Sequence, residues 1–256
     1  MPMDRPMEGR NVSPLSMARE LDVRELTAIA RRRAWSVSMS FGLECRDPAG
    51  SPAPRPAGIP VTMTPRDARS FTGFHDERAA VSGGDAIEVL SRIRMCEAGV
   101  QGLHVAEAPD GRPIYAQWLI GAEEQAELHA LTNGLFPQLV AGEGLLEGAY
   151  TFVAFRKLGA MSDGMHQLLD VATQQRMTRC ITYVSPGNGP SLRGCANAGF
   201  TAGHARITRT GVGMRRYAFR ALEPDELGAW RAAVGDPSVR AQRIGDVEAG
   251  PGPGQN

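Results

Sequence analysis

The sequence predicts a mixed α/β domain, and three observations carry that expectation. Residues 150–200 read as a strand, a basic-glycine turn, an amphipathic helix, a second strand and a short helix ending in Gly199-Phe200. Asp110-Gly111, the strongest hairpin signal in the chain, lies between two β-patterned segments, 103–108 and 113–120. A second hairpin crosses Thr210-Gly211, between 204–208 and 214–220.

In chain order, residues 1–20 are rich in Pro, Met, Arg and Ser and are expected to be disordered. Residues 21–58 read as an extension. It holds a helix over 21–33, with an apolar stripe through Leu21, Leu26 and Ile29 and Asp22 as its cap. A strand follows over 35–45, where Trp35, Val37, Met39, Phe41 and Leu43 alternate with Ser36, Ser38 and Ser40. Pro and Gly then make 47–58 a linker. The main domain is placed at 59–221. It starts with a strand over 60–64 and a helix from Pro65-Arg66-Asp67 through Phe74. A helix over 85–98 is built on Ile87, Leu90 and Ile93, and the hairpin follows it. A helix over 123–132 then precedes a strand from Leu145. Residues 150–155 are β-branched and aromatic, as a buried strand requires. Met161, Met165, Leu168, Leu169 and Ala172 recur at helical spacing, and residues 179–184 return to strand. Residues 222–240 carry a closing helix over 224–234 with Trp230 turned inward, and the Gly/Pro-rich 241–256 is expected to be disordered.

Composition excludes several classes. Lys and Arg number 28 against 28 Asp and Glu, so no net charge favours nucleic acid or a membrane surface. The run Arg31-Arg32-Arg33 suits an anion, but a solvated helix end explains it better. Cys45, Cys96, Cys180 and Cys195 are scattered without a CxxC pair or a nearby His, which argues against zinc, any other metal and a disulfide framework. No apolar run reaches membrane-spanning length, so a soluble cytoplasmic protein is expected; a homodimer is left open.

The chemistry concentrates after residue 150. A helix that starts directly behind a glycine turn presents free N–H groups and a positive dipole end to that turn, which suits phosphate. Here Arg156-Lys157-Leu158-Gly159-Ala160-Met161 forms the turn, and Asn188, Ser191 and Gly199-Phe200 follow beyond the next strand. In this joint spacing the chain resembles the GNAT acyltransferase superfamily, whose pyrophosphate loop reads Arg/Gln-x-x-Gly-x-Gly/Ala. Tyr150-Thr151 together with Met161 is similar to members that carry Tyr-Thr before the loop and Met after its glycine. Leu158 stands where a small or basic residue is common. Cys195 stands where a Tyr often protonates the leaving thiolate.

The resemblance implies a mixed, largely antiparallel central sheet flanked by helices. It also implies acetyl-CoA, or another acyl-CoA, as co-substrate and a small-molecule amine as acceptor. The loop residues Leu158, Gly159, Ala160 and Met161 would hold the pyrophosphate, with Arg156 beside them. The strand edge from Thr151 to Phe155, with Thr151 and Val153 foremost, would hold the pantetheine amides, and the Val153 or Ala154 N–H would meet the oxyanion. Asn188 and Ser191 would bond the cofactor or cap the following helix. Glu147 is the base implied by its place on the strand before the loop, with Tyr150, Glu143 and Glu107 as alternatives and a plain surface charge as the bland reading. Cys195 and His166 are better explained by packing than by catalysis. Two other functions stay open: a non-catalytic module that binds CoA or an acylated partner, and an acyltransferase fed by an acyl carrier protein through Arg156, Lys157, Arg176 and Arg179.

Overall fold

Ser36–Cys45 forms β1, the first element of the computed structural model, which describes residues 36–211 and 214–235. The sheet continues with β2 (Thr64–Pro65), β3 (Leu103–Glu107), β4 (Pro113–Gly121), β5 (Glu143–Thr151), β6 (Arg179–Val184), β7 (Thr201–Gly211) and β8 (Met214–Arg220). The helices are α1 (Gly73–Ala80), α2 (Gly83–Glu97), α3 (Gln125–Thr132), α4 (Ala160–Gln174), α5 (Gly189–Asn197) and α6 (Pro224–Val234). Eight strands form one sheet in the order β2-β3-β4-β5-β6-β1-β7-β8. Every neighbouring pair is antiparallel except β5 with β6.

Alternation along the strands sorts side chains onto two covered faces. On β4, Ala116, Trp118 and Ile120 join Phe74, Leu90, Ile93 and Leu128 beneath α1, α2 and α3. Tyr115 and Leu119 join Leu146, Met165, Leu168, Leu169, Leu192 and Trp230 beneath α4, α5 and α6. Because β4 is covered on both sides, it is almost wholly apolar and buried. Small residues set the spacing of α4: a Cβ on Gly164 would stand 2.6 Å from the Tyr115 ring, and one on Gly194 of α5 would stand 2.9 Å from Met161 Sδ.

Several sequence expectations change here. β1 was expected in an extension ahead of the sheet; it is instead an interior strand, paired through Phe41–Val184 and Cys45–Cys180 on one side and Ser36–Thr210 on the other. The linker 47–58 is fastened to the body: Ser51 Oγ donates to Ala198 O at 2.8 Å and Gly58 N–H to Leu158 O at 2.7 Å. The strand over 60–64 shrinks to Thr64–Pro65. The helix from Pro65 is a 3-10 turn, Ala68–Ser70, ended by extended Phe71, and α1 starts only at Gly73. The strand over 150–155 stops at Thr151, and Val153–Phe155 is a 3-10 turn. The helix over 21–33, Trp35 and the segment 241–256 lie outside the described residues.

Candidate functional site

The one parallel pair opens a gap in the sheet. β5 and β6 are paired only through Glu143–Arg179, Gly144–Cys180 and Leu145–Ile181, and then they part. Just beyond, the β4–β5 register slips between Ala116 and Trp118, opposite Gly148 at φ +68°. Two residues past the last pair, Glu147 and Tyr183 stand on the same face as Leu145 and Ile181, one on each side of the gap. Burial pushes the Glu147 carboxyl up, while the Arg206 and Arg92 charges pull it partly back. A carboxylate so placed takes a proton more readily than an exposed one.

Behind Tyr183 runs a chain of polar groups that crosses β6, β1 and β7. Tyr183 Oη is 2.8 Å from His204 Nε2, and His204 Nδ1 is 3.0 Å from Glu44 Oε1. Arg179 donates to both Glu44 oxygens, to Oε1 at 2.7 Å beside His204 and to Oε2 at 3.2 Å, and also pairs with Glu143. Burial raises the Glu44 carboxyl, but hydrogen bonds from Arg179 and His204 outweigh it and hold the group below its usual value. An ionised Glu44 only accepts, so Nδ1 carries the imidazole proton and Nε2 accepts from the Tyr183 hydroxyl. Gly42 makes the contact feasible. It lies between Tyr183 and His204 in register, and a Cβ there would stand 2.3 Å from Nε2. The Arg206 guanidinium lies 4.3 Å over the Tyr183 ring.

At the other end of the gap, Lys157 (φ +66°) and Gly159 (φ +82°) form the turn into α4. Gly159 is the N-cap and offers no side chain, so the first-turn N–H groups at Ala160 and Met161 have no side-chain cap. That is a donor set suited to a pyrophosphate. Against it rests the chain's own segment: a Cβ on Gly159 would stand 3.3 Å from Ala57 Cα, and Ala57 N–H donates to Asp163 Oδ2 at 3.4 Å. Gly159 is therefore required by its backbone angle and by Ala57, independently of any ligand.

The remaining sequence candidates separate from these groups. Arg156 is turned away from the loop: it pairs with Asp85 at 2.8 Å and donates to Thr151 O at 3.2 Å. The Tyr150 hydroxyl is spent on Glu77 Oε1 at 3.0 Å, within that same network. Val153 N–H donates to Glu77 at 2.8 Å and sits on a turn, which removes it as an edge for pantetheine or an oxyanion donor. Arg92 binds the Gly148 and Ala149 carbonyls at 3.3 and 3.1 Å. Asn188 caps α5 through Ser191 N–H at 3.2 Å. Leu158 is exposed and offers only its carbonyl, to Gly58. Cys195 is sealed against Met165, and burial pushes its thiol up to about 12. Glu143 is bound to Arg179 and Glu107 to Arg66.

Sequence reasoning missed Tyr183, His204, Glu44 and Arg206. The available signal was parity: Glu44 falls on the Ser36–Ser38–Ser40 side of its strand, and His204 and Arg206 share one face of theirs.

No family model and no curated protein matches the chain. Solved structures do. A GCN5-related glucosamine N-acetyltransferase region of a fungal multi-domain GH3 beta-N-acetylglucosaminidase aligns at 13% identity and TM-score 0.51, over 71% of this chain and 22% of that one. A GNAT-family acetyltransferase from Colwellia psychrerythraea aligns at 16% identity and TM-score 0.44, over 72% of this chain and 60% of that one. A GCN5-related N-acetyltransferase from Sphaerobacter thermophilus aligns at 12% identity and TM-score 0.43, over 79% and 60%. This chain thus spans less than two thirds of each, and the first likeness shows the fold alone. The mixed, largely antiparallel sheet flanked by helices is the fold seen in that GCN5-related N-acetyltransferase region.

Proposed function

We propose that on this GNAT fold the chain transfers an acyl group, most simply acetyl, from acyl-CoA to a primary amine of a small molecule by direct attack. One observation carries the reading: Glu147 stands where β5 and β6 part, with its carboxyl raised by burial. An amine arrives as an ammonium and must lose a proton before it attacks, and a base whose affinity for protons is raised toward neutrality suits that task. The uncapped turn at Lys157 and Gly159 would hold the pyrophosphate through backbone N–H groups. That donor set needs no metal, and among the described residues no group of three metal-ligating side chains occurs.

A non-catalytic CoA-binding module is the second reading. It is favoured by Cys195, which stands where the resemblance implies an acid and is sealed in the core with its thiol pushed up to about 12. The carrier-protein reading loses two of its four cations, since Arg156 and Arg179 are held in ion pairs.

The test is thiol release from acetyl-CoA with a panel of primary amines: glucosamine, glycine, ethanolamine and lysine. Release with one of them, lowered about 10²-fold in kcat/KM by Glu147→Gln at an unchanged Tm, is the expected result. The acid-side fall in rate should vanish in that variant, because the raised Glu147 carboxyl causes it. CoA binding without release from any amine would leave the module.

A further inference from the structure

We propose that the acceptor is a zwitterion, a primary amine that carries its own carboxylate as a free amino acid does, and that Arg206 holds this carboxylate while Glu147 meets the amine. This rests on the acyl-transfer reading above and narrows its acceptor. The starting point is a cation without a counterion. Arg206 of β7 reaches back across β1 and lies over the Tyr183 ring at 4.3 Å and the Phe136 ring at 5.3 Å. Its hydrogen bonds are two, both at 3.4 Å and both to neutral oxygens, the Leu135 carbonyl and the Ser40 hydroxyl. Nε is buried without a partner. Burial works against the charge, and Glu147 is the one carboxylate among the described residues that works for it.

Glu147 is the matching anion. Of the cations that act on its carboxyl, Arg206 is the strongest and Arg92 the second. Arg92 is committed elsewhere, donating to the Gly148 and Ala149 carbonyls at 3.3 and 3.1 Å. Glu147 and Arg206 are both half-buried and stand on the sheet face that carries Leu145 and Tyr183. They act on each other without forming an ion pair. Opposite charges that share such a face and stop short of contact are each poorly compensated. A molecule with an ammonium at one end and a carboxylate at the other satisfies both at once. Stacking alone does not account for Arg206. The rings take the faces of the guanidinium, while its five N–H donors point outward in its plane, more than two long bonds can use. That planar fork matches a carboxylate through two parallel hydrogen bonds. In the reaction, Glu147 takes one proton from the ammonium and the freed nitrogen bonds to the thioester carbon. The carbon–sulfur bond breaks with its electron pair on sulfur, the second amine proton ends on the thiol, and Glu147 returns its proton to water. The carboxylate is unchanged, so the product is an N-acyl amino acid. It has lost the ammonium that Glu147 attracts, which favours its release.

Steady-state kinetics with acetyl-CoA test this with amines that differ only at the carboxylate: glycine against glycinamide, and lysine against 1,5-diaminopentane. Each amino acid should exceed its counterpart about 10²-fold in kcat/KM, the size of effect expected when one member of a desolvated charge pair is removed. Arg206→Gln should raise the KM for glycine about tenfold or more with the KM for acetyl-CoA unchanged, and should bring the glycine-to-glycinamide ratio toward unity. Arg206→Lys keeps the charge without the fork and should fall between the two. The ratio is read within one preparation, so a variant that folds only in part still reports it. Glycinamide acylated as fast as glycine by the wild type, or an unchanged ratio in Arg206→Gln, would overturn the carboxylate site and leave acyl transfer standing. Thiol release with glucosamine or ethanolamine but with neither amino acid would do the same. No release with any of these amines removes both.

Discussion

At the scale of single residues, Gly42 and Cys195 make opposite predictions. A methyl group on Gly42 would stand 2.3 Å from His204 Nε2, well inside any real contact, so the imidazole must move and the Tyr183–His204 bond must break. Gly42→Ala should therefore cost about 1–3 kcal/mol in denaturant unfolding, the usual penalty for overpacking. An unchanged denaturation midpoint would show that the imidazole can move aside without cost. Cys195 occupies the position at which the family resemblance implies an acid, yet its thiol is held up near 12 by burial. A CoA thiolate, with a pKa near that of free cysteine at about 8.5, would gain nothing from so weak a donor. Cys195→Ala should keep most of kcat and cost about 1 kcal/mol. The same sealing makes the native thiol unreactive toward thiol reagents until the protein unfolds.

At the scale of elements, β1 joins two parts of the sheet that would otherwise stand apart, with β6 on one side and β7 on the other. Its C-terminal half is clamped by charge: Glu44 binds Arg179 of β6 and His204 of β7. Glu44 is held below its ordinary carboxylate value in the folded chain. The stability this supplies is present at neutral pH, and it is lost as pH falls from the ordinary carboxylate value toward the lowered one. Glu44→Gln should cost on the order of 2–3 kcal/mol at pH 7. Thermal melts of the variant should also decline less steeply between about pH 5 and pH 3 than those of the wild type. Parallel decline in the two proteins would place the acid sensitivity elsewhere. The strand itself was legible from its alternation, but its place was not. Nothing local to residues 36–45 records a partner 160 positions away, as Glu44 has in His204. The turn at Val153–Phe155 failed for a related reason: its residues favour strand, but Glu77, 76 positions earlier in the chain, takes the Val153 N–H.

At the scale of the whole molecule, the sequence exposed one half of the candidate site and hid the other. The loop at Gly159, the helix behind it and Glu147 lie within one contiguous stretch, so spacing alone could find them. The Tyr183–His204–Glu44 chain draws on three strands and exists only once the sheet has formed. Arg156 shows the limit even within the contiguous half, since α2 supplies the Asp85 that turns it from the loop. Ligand binding then links the loop to the stability of the entire fold. CoA at a hundredfold over its Kd should stabilise the wild type by about 2.7 kcal/mol. For a chain of this size that is roughly 5–11 °C in Tm. Gly159 is a poor place to test this, because its φ of +82° and Ala57 would penalise any side chain in the free protein. Lys157 is exposed and forms no ion pair among the described residues. Lys157→Glu should therefore leave the free protein's Tm nearly unchanged while placing a negative charge beside the phosphates. A tenfold loss of affinity would cut the stabilisation at the same CoA concentration to about 1.4 kcal/mol. Equal CoA-induced shifts in the two proteins would put the phosphates somewhere other than this loop, and no shift in either would remove CoA as the co-substrate.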